Sequence, residues 1–121
     1  MKTCLVVDDS SVIRKVARRI LEGCHFRILE AENGREAMDV CRAGLPDCVL
    51  LDASMPVMDG LDFLRELRAW PQGDRPVVLF CTIEHDVAQI ARAMRAGANG
   101  YILKPFDKFS VEAKFQNAGL M

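Results

Sequence analysis

Asp8-Asp9, Asp52, Thr82 and Lys104 are the residues of this chain whose types and spacing could do chemistry. Each closes a short apolar run, at a point where a buried core has no use for a charge or a hydroxyl. Gathered in one place they would give three carboxylates, one hydroxyl and one ammonium. Carboxylates held that close repel one another unless protons or a cation neutralise them. Hard oxygen donors without clustered imidazole or thiolate suit Mg²⁺, with Mn²⁺ as the alternative, better than zinc. Magnesium is typically held by one or two carboxylates together with a phosphoryl oxygen, so the chemistry suggested is phosphoryl transfer. Each residue alone has a plainer reading: Asp and Ser after a strand are common helix caps, Thr suits a strand, and Lys104 is an ordinary solvated charge. The set is more telling than its members.

The elements that must position these residues follow from the apolar pattern. Cys4 to Val7 reads as a strand, and Asp8-Asp9-Ser10-Ser11 ends it and caps a helix. That helix places Val12, Ile13, Val16, Ala17, Ile20, Leu21 and Cys24 on one stripe, with Gly23 at its end. Arg27 to Ala31 forms a second strand, Asn33 and Glu36 resemble a capping box, and Ala37, Met38, Val40 and Cys41 supply the next apolar face. Cys48 to Leu51 reaches Asp52, followed by a helix carrying Leu61, Phe63, Leu64 and Leu67. Val77 to Cys81 reaches Thr82, and Val87, Ile90, Ala91 and Met94 form the face of the helix after it. Tyr101 to Leu103 reaches Lys104-Pro105, and a final short helix begins near Asp107.

Several of these strands are continuously apolar, as strands buried on both faces are, which predicts an α/β fold with helices on both sides of a parallel sheet. In such sheets the carboxyl ends of the strands line the ligand crevice, so the scattered polar residues converge there. The five βα units use the whole chain, residues 1–121, as a single domain.

Composition narrows the possibilities. Sixteen basic and seventeen acidic residues leave a net charge of −1, which argues against a global attraction to DNA, RNA or anionic lipid. Five cysteines, at 4, 24, 41, 48 and 81, form no C-x-x-C pair and read as small core residues. His25 and His85 lie far apart and lack the partners of a metal cluster. No apolar run is long enough to span a bilayer and the first residues lack a secretory signal, so a cytoplasmic protein without membrane insertion is expected.

The Asp8-Asp9 pair, Asp52-Ala53-Ser54-Met55-Pro56-Val57-Met58-Asp59-Gly60, Thr82 and Tyr101-Ile102-Leu103-Lys104-Pro105-Phe106 together resemble the receiver domain of bacterial two-component response regulators. The likeness covers the whole chain and is greatest to stand-alone, chemotaxis-type (CheY-like) receivers, whose doubly wound, flavodoxin-like sheet has strand order 2-1-3-4-5. The resemblance implies that Asp52 is the phosphoacceptor, that Asp8, Asp9, Asp52 and the Ser54 backbone carbonyl hold Mg²⁺, and that Thr82 and Lys104 contact the phosphoryl group. It also implies a switch in which Thr82 moves toward the phosphoryl and Tyr101 rotates inward, remodelling the face of helix four, strand five and helix five. Pro56 would fix the loop carrying Ser54, Gly60 would permit a tight turn, and Lys104-Pro105 resembles the family's cis peptide.

The partners implied are a histidine kinase or phosphotransfer protein and an effector protein such as the flagellar motor switch. With the chain ending at Met121, a monomer without an output domain or DNA binding is expected. Arg14, Lys15, Arg18 and Arg19 give the first helix a basic face suited to the phosphodonor; Arg92 and Arg95 give the fourth one suited to an effector or an anionic nucleotide messenger. Both are also readable as solvated faces. Ile83 stands where many relatives have a small residue, so Ile83→Ala should open the site to small phosphodonors. Ser54 and Glu84 occupy positions that tune hydrolysis in the family. Two other functions remain open: a phosphate sink or relay intermediate, and a Mg²⁺-dependent phosphatase with an aspartyl intermediate. The phosphatase lacks its expected Asp-x-Asp, because Ala53-Ser54 follows Asp52, and neither Gly-rich phosphate-binding motif occurs.

Overall fold

The computed structural model describes residues 1–83 and 86–121; Glu84 and His85, each singled out above, lie outside the described residues. Five strands and five helices alternate: β1 (Thr3–Val7), α1 (Ser11–Gly23), β2 (Arg27–Ala31), α2 (Gly34–Ala43), β3 (Cys48–Asp52), α3 (Gly60–Ala69), β4 (Val77–Ile83), α4 (Val87–Ala96), β5 (Gly100–Lys104) and α5 (Lys108–Asn117). All strand pairs are parallel and the sheet order is β2-β1-β3-β4-β5, as the continuous apolar strands predict.

Alternation along the strands divides the core into two layers. Leu5, Val7, Val49, Leu51, Val78 and Phe80 face one side, where Ala37 and Met38 of α2, Phe63, Leu64 and Leu67 of α3 and Ala93 of α4 cover them. Cys4, Val6, Cys48, Leu50, Leu79, Cys81 and Ile102 face the other side, against Ala17 and Leu21 of α1 and Val111 and Phe115 of α5. Burying each large side chain contributes about 2 kcal/mol, so the sheet is a stiff base for whatever its ends carry. Cys4, Cys41, Cys48 and Cys81 are free and buried, as core residues should be, and Cys24 is half-buried.

Two helix faces differ from the sequence reading. In α1, Val12 and Val16 are 66 % and 43 % exposed. They lie about 140° and 100° around the helix from the buried Ala17, off the stripe that Ile13, Ile20 and Leu21 form. In α4 the difference is larger: Val87, Ala91 and Met94 are exposed, and the inner face is Ala93, with Gln89, Ile90 and Ala96 half-buried beside it. Small side chains let this helix approach the sheet closely, and the larger apolar residues are left outside.

The connections at the carboxyl ends are held by caps. Ser10, Asn33, Asp59, Asp86 and Asp107 each accept a hydrogen bond from a backbone N–H of the first turn that follows. Glu36 does not complete a reciprocal box with Asn33; its carboxylate accepts from the Glu32 N–H at 3.2 Å instead. Gly60 is required by close approach: a Cβ there would lie 2.2 Å from the Asp52 carbonyl oxygen. No positive φ is found at this position, so the close approach rather than a left-handed backbone is what calls for glycine. No helix among the described residues is long and apolar enough to cross a membrane.

Candidate functional site

The strand ends bring the acidic residues together. Asp8 follows β1 and is 3 % exposed, Asp52 closes β3 and is 7 % exposed, and Asp9 is open to solvent. One carboxylate oxygen from each of the three lies within 4.8 Å of the others. Lys104, the last residue of β5, donates from Nζ to Asp8 Oδ2 at 2.7 Å and to Asp52 Oδ1 at 2.9 Å. The Lys104-Pro105 peptide bond before the final loop is cis.

One ammonium against three carboxylates leaves the cluster short of positive charge. Burial pushes the Asp52 carboxyl above its usual range, and the Asp8 charge adds to this; the Lys104 hydrogen bond opposes it without prevailing. For Lys104 burial acts downward, yet its bonds to Asp8 and Asp52 hold the ammonium above its ordinary value. A hard, all-oxygen donor set with two uncompensated negative charges fits a divalent cation such as Mg²⁺.

Neighbouring backbone fixes the acids. Asp8 Oδ1 accepts from the Ser10 N–H at 2.9 Å, and the Asp8 N–H donates to Ala31 O at 3.1 Å. Arg14, read from sequence as part of a docking face, donates from Nη1 to the Asp8 carbonyl at 2.7 Å and from Nε to Glu30 Oε1 at 2.9 Å. Arg18 donates to Glu30 Oε2 at 2.7 Å. Half of the α1 basic face therefore supports the site and the β2 edge. The signal for this was Glu30, an acid inside a strand, paired in register with Val6.

After β3, Ala53 N–H donates to Cys81 O and Gly60 N–H to Ala53 O, enclosing the loop that carries the exposed Ser54. Within it Met58 N–H donates to Pro56 O at 2.8 Å, a three-residue turn centred on Val57 at φ 70°. Thr82 does not end its strand as expected; β4 continues through Ile83, which is 63 % exposed. The Thr82 hydroxyl is buried and donates to Gln89 Oε1 of α4 at 3.1 Å, not toward the acids. Gln89 had no distinguishing mark in the sequence. Tyr101 stands apart on β5, half-buried, with the Lys114 ammonium 4.3 Å from the centre of its ring. His25 is exposed and belongs to no metal-binding cluster among the described residues.

Comparison with known proteins agrees with this arrangement. Residues 4–116 match the response regulator receiver domain. The chemotaxis protein CheY of Halobacterium salinarum is 40 % identical over 111 residues, which span 91 % of this chain and 90 % of that protein. CheY-3 of Vibrio cholerae is 37 % identical over 111 residues, spanning 91 % and 85 % respectively. Among solved structures, the chemotaxis response regulator CheY4 of Vibrio cholerae superposes with a TM-score of 0.92 at 29 % identity, over 98 % of each chain. A parallel sheet in the order β2-β1-β3-β4-β5 with acids and a lysine at its carboxyl ends is a CheY-like receiver architecture, that of the response regulators of two-component signalling. The chain belongs to the response regulator receiver domain family.

Proposed function

We propose that Asp52 accepts a phosphoryl group from a phosphohistidine of a histidine kinase or phosphotransfer protein. The observation that carries this is the cluster itself: three carboxylates within 4.8 Å of one another, two of them buried and sharing one lysine. An Asp52 carboxylate oxygen attacks phosphorus, the O–P bond forms, the N–P bond breaks, and its electron pair leaves with the imidazole nitrogen. Asp8, Asp9, Asp52 and the Ser54 backbone carbonyl would hold Mg²⁺, which supplies neutralisation of charge on the phosphoryl oxygens. Lys104 exchanges its bond to Asp52 for one to a phosphoryl oxygen, and Thr82 donates its hydroxyl to another. Water attacking phosphorus returns the free carboxylate and inorganic phosphate, so the signal is self-limiting.

Phosphorylation then shifts an equilibrium in which Thr82 and Tyr101 change position and the α4–β5–α5 face binds an effector. The chemotaxis names of the relatives support an effector of that kind, the flagellar motor switch among them. Incubation with acetyl phosphate and Mg²⁺, followed by intact-mass measurement, tests the assignment. The wild type should gain one phosphoryl mass and Asp52→Asn none; equal gain in both would move the acceptor elsewhere. Ile83→Ala should raise the rate of this labelling, and an unchanged rate would remove Ile83 as a gate.

A second reading concerns an anionic nucleotide messenger. Arg65 of α3 joins Arg92 and Arg95 of α4 around a cleft of about 360 Å³, a basic lining that supports binding of a multiply charged anion. Calorimetric titration with a cyclic dinucleotide and a nucleoside triphosphate, on the wild type and on Arg95→Glu, separates this from a solvated face.

A further inference from the structure

We infer that Gln89 is a positioning residue that holds the Thr82 hydroxyl away from the phosphoryl site and so sets how readily the domain leaves its resting conformation. This rests on the assignment of Asp52 as the phosphoacceptor. Thr82 is 4 % exposed, so its hydroxyl needs a protein partner, and Gln89 Oε1 accepts its bond at 3.1 Å. A hydroxyl has one proton to give. It can bond Gln89 or a phosphoryl oxygen but not both, so the two acceptors compete for Thr82.

The place of Gln89 in α4 makes this competition consequential. It is the third residue of the helix, and its backbone N–H is already taken by the Asp86 cap at 3.1 Å. At the other end α4 is pinned: Arg68 of α3 donates to the Gly97 carbonyl from Nε at 3.0 Å and from Nη2 at 2.9 Å. The same guanidinium reaches the Gly73 and Pro76 carbonyls at 2.7 and 2.8 Å, so this anchor is shared with the α3–β4 connection. Between the ends α4 has one fully buried residue, Ala93. A helix fixed at its carboxyl end and thinly packed along its length keeps its first turn in place partly through the Thr82–Gln89 bond. When Thr82 turns to a phosphoryl oxygen, that turn is released, and the exposed Ile83 and Val87 beside it move with it.

The test is titration with beryllium fluoride, a tetrahedral phosphoryl mimic, in saturating Mg²⁺, followed by the amide NMR signals of residues around Asp52. Gln89→Met keeps length and shape but removes the acceptor, and should tighten the apparent Kd about fivefold, the equivalent of one hydrogen bond. Gln89→Glu offers Thr82 a stronger, charged acceptor and should weaken it. In a Thr82→Val background Gln89→Met should leave the Kd unchanged, a coupling that a merely structural role in α4 would not produce. Equal affinity for wild type and Gln89→Met, or the same gain with Thr82→Val, would overturn the inference while leaving the phosphoacceptor intact. No binding by the wild type, or undiminished binding by Asp52→Asn, would instead overturn the phosphoacceptor reading and the inference with it.

Discussion

Two charged clusters share Arg14 and are built in opposite senses. At the β2 edge one carboxylate, Glu30, receives two guanidiniums, from Arg14 and from Arg18, the latter also donating to Glu22 at 3.1 Å. At the strand ends three carboxylates share one ammonium. The Arg18 hydrogen bond outweighs burial and, with Arg14, holds Glu30 below the usual carboxylate range, whereas burial outweighs Lys104 and holds Asp52 above it. The over-compensated cluster stabilises the fold as it stands. The under-compensated one would be stabilised by a cation held among its carboxylates, and Arg14 ties the backbone of the second to the first.

The largest expected effect breaks the scarce cation. Lys104→Met leaves Asp8 and Asp52 buried without their partner and should lose about 3 kcal/mol at neutral pH. Urea unfolding across a pH series should show the loss shrinking as Asp52 becomes protonated, and added Mg²⁺ should recover part of it. A loss that ignores both would make Lys104 a packing residue.

Breaking the over-compensated cluster has a smaller effect. A carboxylate whose folded pKa is depressed adds stability above its unfolded value, near 4.3 for Glu, and loses it as pH falls through the folded value. Glu30→Gln should therefore lose about 2 kcal/mol at neutral pH, and the two proteins should converge in acid. For Asp52 the sign reverses. Its raised folded pKa favours the protonated form, so its contribution is fully present below the unfolded value, near 3.9, and is lost as pH rises through the folded value. Asp52→Asn should thus be more stable than the wild type at neutral pH, a gain that disappears toward acid. The two variants should lie on opposite sides of the wild type at neutral pH and converge with it toward acid; displacement to the same side would erase the distinction between the clusters.

The same contrast explains how much the sequence disclosed. The sheet was legible because β1, β3 and β4 are apolar without alternation, and the site because polar residues recur together at the ends of the strands, which helix capping explains singly but not as a set. Neither inference needs side-chain geometry. The inner face of α4 was misread because apolarity favours Val87 and Met94 over Ala93 and Gln89, whereas packing selects for size and for the bond to Thr82. Arg14 looked like surface because its partners, Glu30 and the Asp8 carbonyl, are set by sheet register and the bend after β1. Contacts of this kind depend on where two distant segments meet, and no local pattern records them.

Strain at the site is also stored in backbone, and this gives the finest test of the comparison. Val57 occupies φ 70° in the turn closed by Met58 N–H and Pro56 O, and it is 80 % exposed, so no packing offsets the conformation. A β-branched residue there is disfavoured by about 1–2 kcal/mol. Asn tolerates the left-handed region better, so Val57→Asn should gain up to about 1 kcal/mol and raise the Tm by about 4 °C. If the loop is strained only locally, acetyl phosphate labelling of Asp52 proceeds at the wild-type rate in this variant. If the strain aims the Ser54 carbonyl, stability rises while the Mg²⁺ dependence of labelling shifts to higher concentration, and the turn then belongs with the acids as part of what the site holds in reserve.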